Sequence, residues 1–215
     1  MTVDVIKPWK SLNWPNRITL VRLLLVAPFV ILIENQLDWP WARHAAMGIF
    51  AVMALSDFAD GVLARRLDAR TRLGAILDPM ADKVLIICSA VLLSMPHSAP
   101  PGLCLPNWVV VFIVGKDLWV IAGFLVIYLV TDRFLVRPSP SGKACTVGQL
   151  AMVLSVLAGP DINKLAAGVG NWIATVLTWI VGALCVLAVI SYTRMGLAFI
   201  AREQKPLEDV GNRKT

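Results

Sequence analysis

The sequence predicts an all-α fold: an integral membrane helical bundle of about six transmembrane helices with an N-terminal interfacial arm and both termini cytoplasmic. Three observations predict it. Of the 215 residues, 58% are hydrophobic and only 16% are charged, and mean hydropathy is +0.73, too apolar for an ordinary water-soluble domain. Apolar runs near the length of about 20 residues that crosses a bilayer recur along the chain. Lys and Arg are divided unevenly between the connections, the pattern that fixes orientation in a membrane.

Residues 1–16 are expected to form the arm. Trp9 and Trp14 alternate there with Lys7 and Lys10, a composition suited to lying along the bilayer surface; a disordered tail is the alternative. No small-residue cleavage site closes the first apolar run, which argues against a cleavable signal peptide. Residues 17–202 form the membrane domain, with spans expected at 17–34, 42–65, 74–95, 107–131, 143–159 and 172–200, the fifth being short. Residues 203–215 are polar and read as a disordered tail. Lys7, Lys10 and Arg17 flank the first span, Arg65, Arg66, Arg70 and Arg72 join the second to the third, Arg133, Arg137 and Lys143 join the fourth to the fifth, and Arg194, Arg202 and Lys205 close the last. The opposite connections hold only Arg43 and Lys164, each near an Asp. The cationic side is expected to face the cytoplasm of the cell (inner) membrane. The net charge of +6 sits at that side, where it attracts anionic lipid head groups; nothing in it points to nucleic acid.

The chemistry is concentrated between residues 57 and 82, which read Asp-x-x-Asp-Gly-x-x-Ala-Arg, eight intervening residues, then Gly-x-x-x-Asp-x-x-x-Asp. An Asp at the bilayer centre costs roughly 2.5–3.5 kcal/mol, so four of them, uncompensated, would cost on the order of 10 kcal/mol. Bound cations remove most of that cost. Residues three, four and seven apart share one side of a helix, so Asp57, Asp60, Gly61 and Ala64 form one stripe with Arg65 at its edge. Gly74, Asp78 and Asp82 form a second. Carboxylate oxygens suit hard divalent ions, Mg²⁺ or Mn²⁺, which also bind phosphates. Gly61, Ala64 and Gly74 leave room for a nucleotide or a neighbouring helix, and Arg65 offers a planar fork of donors to a phosphate. The bland reading, solvated carboxylates at helix ends, accounts for single Asp residues better than for the whole constellation.

These residues resemble the CDP-alcohol phosphatidyltransferases of phospholipid synthesis: every defining position of that family's signature is present at its spacing. Pro15-Asn16-x-x-Thr19-x-x-Arg22 is similar to the family's start of its first membrane helix, and the resemblance covers most of the chain. Leu77-Asp78-Pro79-Met80-Ala81-Asp82-Lys83 looks most like the branch that makes phosphatidylglycerophosphate or, in a related subgroup, cardiolipin. The resemblance implies that Asp57, Asp60, Asp78 and Asp82 hold one or two divalent ions and that Asp82 is the general base. It further implies that Asn16, Thr19, Asp60, Gly61, Ala64, Arg65 and Gly74 surround the cytidine nucleotide of CDP-diacylglycerol. The phosphatidyl group would pass to a small alcohol phosphate or a lipid acceptor, glycerol 3-phosphate first and phosphatidylglycerol, as in cardiolipin synthase, second. A homodimer is implied as well, and membrane lipids are the surrounding partners.

Acceptor binding is assigned to Lys116 and Lys143, polar groups within or at the edge of apolar segments; Lys116 stands where related enzymes of the branch often have Arg. A membrane prenyltransferase also holds a diphosphate through Asp-rich helices, but places its two acidic motifs far apart. A cation transporter lines its path with intramembrane carboxylates, but leaves Gly61, Ala64, Arg65 and Gly74 unexplained. Cys88, Cys104, Cys145 and Cys185 are dispersed without zinc-ligand spacing and read as small apolar fillers. His44 and His97 fall at the side away from the acidic motif. Trp39, Trp41, Trp108 and Trp172 read as interface anchors.

Overall fold

The computed structural model describes the backbone of residues 14–67, 74–131 and 140–211, and the side chains of 20–56, 83–127, 129, 140–199 and 201. Six helices and no strand occur among the described residues: α1 (Trp14–Glu34), α2 (Ala42–Leu67), α3 (Gly74–Ser94), α4 (Asn107–Thr131), α5 (Pro140–Leu165) and α6 (Val169–Gly211). Each expected span falls on one helix. Over the described residues, three stretches are long and apolar enough to cross a membrane, Asn107–Ile127, Pro140–Leu165 and Val169–Phe199, while α2 and α3 contribute the shorter apolar segments Ala42–Ser56 and Lys83–Ser94.

Helix boundaries depart from expectation in three places. α1 opens at Trp14, so Asn16 lies in its first turn rather than in the arm; Pro15 suits that turn because its missing N–H would have had no intrahelical partner there. The rest of the arm, residues 1–13, lies outside the described residues. α5 runs from Pro140 to Leu165 and carries Pro160 inside it, so the fifth span is longer than the expected 143–159. Pro160 lacks the N–H that would reach back to the Val156 carbonyl, and the next carbonyl along, that of Leu157, accepts from Arg43 Nη1 at 2.7 Å. Residues 203–211, expected to be disordered, continue α6. Glu203, Gln204 and Lys205 are good helix formers, and extending an existing helix avoids the cost of nucleation.

The chain divides into two units, residues 1–105 with 153–173, and residues 106–152 with 174–215. In the first, α1 packs on both α2 and α3. Phe29, Ile33, Phe50, Met53, Leu85 and Leu93 are buried there, and the Phe29 and Phe50 rings lie 5.7 Å apart. The start of α2 is tied to the end of α5: Arg43 Nη2 donates to Asp161 Oδ1 at 2.9 Å, and His44 Nε2 lies 3.1 Å from Asp161 Oδ2. Gln36 donates to the Ser98 carbonyl. The turn into α6 is closed by Asn163, whose Oδ1 accepts from the Gly170 N–H at 2.8 Å.

In the second unit α4 and α6 run side by side. The Trp108 and Trp179 rings are 4.9 Å apart, and Trp119 Nε1 donates to Thr193 Oγ1 at 2.9 Å. Gly182 admits Trp108: a Cβ there would lie 2.6 Å from Cζ3 of the indole. Val111, Leu118, Ile121, Leu125 and Leu129 of α4 are exposed, as lipid-facing positions of a spanning helix would be.

Candidate active site

The seven-residue connection 35–41 makes α1 and α2 antiparallel neighbours, so the first turns of α1 and the last turns of α2 fall at one end of the first unit. α3 begins only seven residues after α2 ends, a reach of roughly 25 Å at full extension, so its first turns belong to the same end. Asn16 and Thr19 are on the opening turns of α1. Asp57, Asp60, Gly61, Ala64 and Arg65 are on the second half of α2, Gly74 opens α3, and Asp78 and Asp82 follow one and two turns on. With a rise of about 1.5 Å per residue, Asp57 and Asp60 are separated by roughly one turn of α2. The side chains of all these residues lie outside those described.

Local sequence explains why the backbone is helical through so many carboxylates. Ala51, Met53, Ala54, Leu55, Ala59, Leu63 and Ala64 are strong helix formers around the acids of α2. Pro79, the sixth residue of α3, lacks the N–H that would reach back to the Ala75 carbonyl. Packing of α1 on both helices then holds the two acidic segments beside a shared neighbour.

Arg22, part of the α1 motif, is a residue to which sequence reasoning assigns no role. It lies three residues past Thr19 and is 3% exposed, a buried cation on the helix that contacts both acid-bearing helices. A charge inside an apolar run is the signal that could have found it.

Of the two lysines assigned to the acceptor, Lys116 is buried in α4 and its Nζ lies 2.6 Å from Oδ1 of Asp117, itself nearly buried. Lys143 is exposed on the first turn of α5. Lys116 is therefore built into the second unit as half of an ion pair.

A family model described as CDP-alcohol phosphatidyltransferase matches residues 12–201. The chain belongs to the CDP-alcohol phosphatidyltransferase family. It is accordingly a membrane phosphatidyltransferase, and divalent-metal dependence comes with the family. Three similar proteins carry the name CDP-diacylglycerol–glycerol-3-phosphate 3-phosphatidyltransferase. That of Yersinia pestis (strain Pestoides F) is 34% identical over 170 residues, covering 79% of this chain and 90% of its own. That of Bacillus subtilis (strain 168) is 28% identical over 184 residues, covering 79% and 91%. The protein of Pseudomonas fluorescens is 44% identical over 86 residues, covering 40% of this chain and 43% of its own length.

For a phosphatidyltransferase the polar cluster at the start of α2 has a separate place. His44 and Arg43 are about 20 Å along α2 from Asp57, taking 1.5 Å per residue. Arg43, His44 and Lys164 all converge on Asp161, a charge-paired clamp between helix ends remote from the acidic motif.

Proposed function

We propose that this enzyme transfers the phosphatidyl group of CDP-diacylglycerol to glycerol 3-phosphate, releasing CMP and forming phosphatidylglycerophosphate. The observation that carries the reading is the complete acidic signature distributed over the adjoining ends of α2 and α3, both packed on α1. The names of the relatives that match along nine-tenths of their length support the choice of acceptor.

The donor set fits a hard divalent cation: four carboxylates within 26 residues, on helix ends that topology gathers together. Asp57, Asp60 and Asp78, with Asp82, would hold one or two ions, Mg²⁺ or Mn²⁺, which supply Lewis-acid stabilisation of the diphosphate and of the CMP leaving group. Asn16, Thr19, Asp60, Gly61, Ala64, Arg65 and Gly74 bind the cytidine diphosphate, the small residues admitting it close to the backbone and Arg65 contributing a bidentate contact. Arg22 adds a buried positive charge at that end. Asp82 accepts the proton of the acceptor hydroxyl as its oxygen attacks the lipid-linked phosphorus; the bond from that phosphorus to the bridging oxygen breaks, and CMP departs. Lys116 and Lys143 bind the acceptor phosphate. The active site faces the cytoplasm of the cell (inner) membrane, where CMP and glycerol 3-phosphate are soluble, and the enzyme is a homodimer, a reading supported by the family resemblance.

Offering the purified protein CDP-diacylglycerol with glycerol 3-phosphate, phosphatidylglycerol, inositol phosphate or serine, and reading the lipid product by mass spectrometry, tests the acceptor. Phosphatidylglycerophosphate is the expected product. Product formed exclusively from phosphatidylglycerol would make the enzyme a cardiolipin synthase instead.

A further inference from the structure

Two thiols that take no part in the reaction meet inside the second unit. Cys145 of α5 and Cys185 of α6 are 0% and 2% exposed, and their Sγ atoms are 3.5 Å apart. One turn along α5, the buried Gln149 turns its Nε2 toward Cys185 Sγ at 3.8 Å. The helices are close at this level, since a Cβ placed on Gly148 would come within 3.2 Å of Leu184 Cδ1. Lys116 of α4 is an electrostatic neighbour of both sulfurs. In the sequence the two cysteines are 40 residues apart and give no sign of this pairing.

Disulfide formation brings two sulfurs to about 2.0 Å, so the pair must close by roughly 1.5 Å, within the range of small side-chain rotations on adjoining helices. Both helices are long and apolar enough to cross a membrane, so the surrounding solvent is hydrocarbon. Lipid-soluble oxidants share that hydrocarbon, as do small uncharged thiols such as dithiothreitol, whereas charged thiols such as glutathione are kept out.

We propose that Cys145 and Cys185 form a modification site, a dithiol that a lipid hydroperoxide oxidises to a disulfide, fastening α5 to α6 and slowing phosphatidyl transfer. One sulfur attacks the outer peroxide oxygen; the O–O bond breaks, the lipid alcohol leaves with a proton, and a sulfenic acid remains. The second sulfur attacks the first, the S–S bond forms, the S–O bond breaks and water departs. Two electrons pass from the thiols to the peroxide. Transfer slows because the fastened segment of α5 begins two residues after Lys143 and adjoins Lys116; this consequence rests on the acceptor roles proposed above, whereas bond formation does not.

The test uses full-length protein carrying Cys88→Ser and Cys104→Ser, reconstituted in phospholipid vesicles and treated with cumene hydroperoxide. After denaturation, residual thiols are counted by gel shift with a polyethylene-glycol maleimide, and CMP release is followed in the same sample. Both remaining thiols are expected to disappear together and turnover to fall at least threefold, with dithiothreitol restoring both. A further Cys185→Ser change should leave turnover insensitive to the peroxide. Peptide mapping of oxidised wild-type protein, in which the Cys145 and Cys185 peptides are expected to be joined, gives the same answer without variants. Thiols that stay open, or a closed pair with unaltered turnover, would overturn the proposal. Failure of the functional reading is separately visible as absence of CMP release from the reduced enzyme.

Discussion

Asp57 and Asp78 belong to different helices, yet the proposed chemistry makes them partners in one cation site. Replacing either with Ala should lower CMP release by about a thousandfold or more, since positioned charge dominates phosphoryl transfer; residual turnover near the wild-type level in a standard CMP-release assay would remove them from the site. Asp82→Asn tests a different role. Loss of a general base costs about a hundred- to ten-thousandfold, and because the amide is nearly isosteric with the carboxylate, nucleotide binding measured by CDP titration should change far less than turnover. At the far end of α2, Arg43 serves stability. Its guanidinium, 12% exposed, satisfies both Asp161 and the Leu157 carbonyl beside Pro160, so Arg43→Ala should cost about 1–3 kcal/mol. A lowered midpoint of thermal unfolding in detergent with little change in KM is the expected signature.

At the scale of elements, close approach is set by a few glycines. A Cβ on Gly170 would collide with the Gly159 carbonyl oxygen, a backbone atom that cannot swing aside, whereas a Cβ on Gly48 would meet nothing within 4 Å. Gly170→Ala should therefore destabilise by about 1–3 kcal/mol and Gly48→Ala should be neutral or stabilise by up to about 1 kcal/mol, both read from the same unfolding midpoints; equal effects would mean that the turn into α6 is looser than this packing implies. The helices themselves were legible because polar punctuation such as Glu34, Gly74 and Asn107 marks their ends and apolar runs fill them. The extent of α5 was not, since Lys143 and Gly159-Pro160 look like boundaries and the group that satisfies the Leu157 carbonyl is 114 residues away. The backbone positions of the candidate site on α1, α2 and α3 were legible, because its spacing is written along neighbouring helices; the roles of its residues remain proposals, their side chains lying outside those described. Burial of Arg22 depends on how α1 packs, and the Cys145–Cys185 contact depends on the pairing of α5 with α6; local sequence holds neither.

For the whole molecule, the distribution of Lys and Arg supports the proposal that both termini and the acidic motif lie at one membrane face, and that proposal assigns Cys104, exposed in the connection between α3 and α4, to the other. In spheroplasts a membrane-impermeant maleimide added outside should label Cys104, while a cysteine introduced at Arg70 should react only after the membrane is opened; the reverse pattern would invert the topology. The function proposed for this chain requires that the four carboxylates make a cation-dependent phosphatidyltransferase. The most direct measurement is CMP release by purified protein with CDP-diacylglycerol and glycerol 3-phosphate, titrated with Mg²⁺ or Mn²⁺ after EDTA treatment, in wild-type, Asp57→Ala and Asp78→Ala forms. Wild-type activity should vanish in EDTA and return with the metal, and neither variant should recover. Full turnover in EDTA, or metal-restored turnover in both variants, would contradict it.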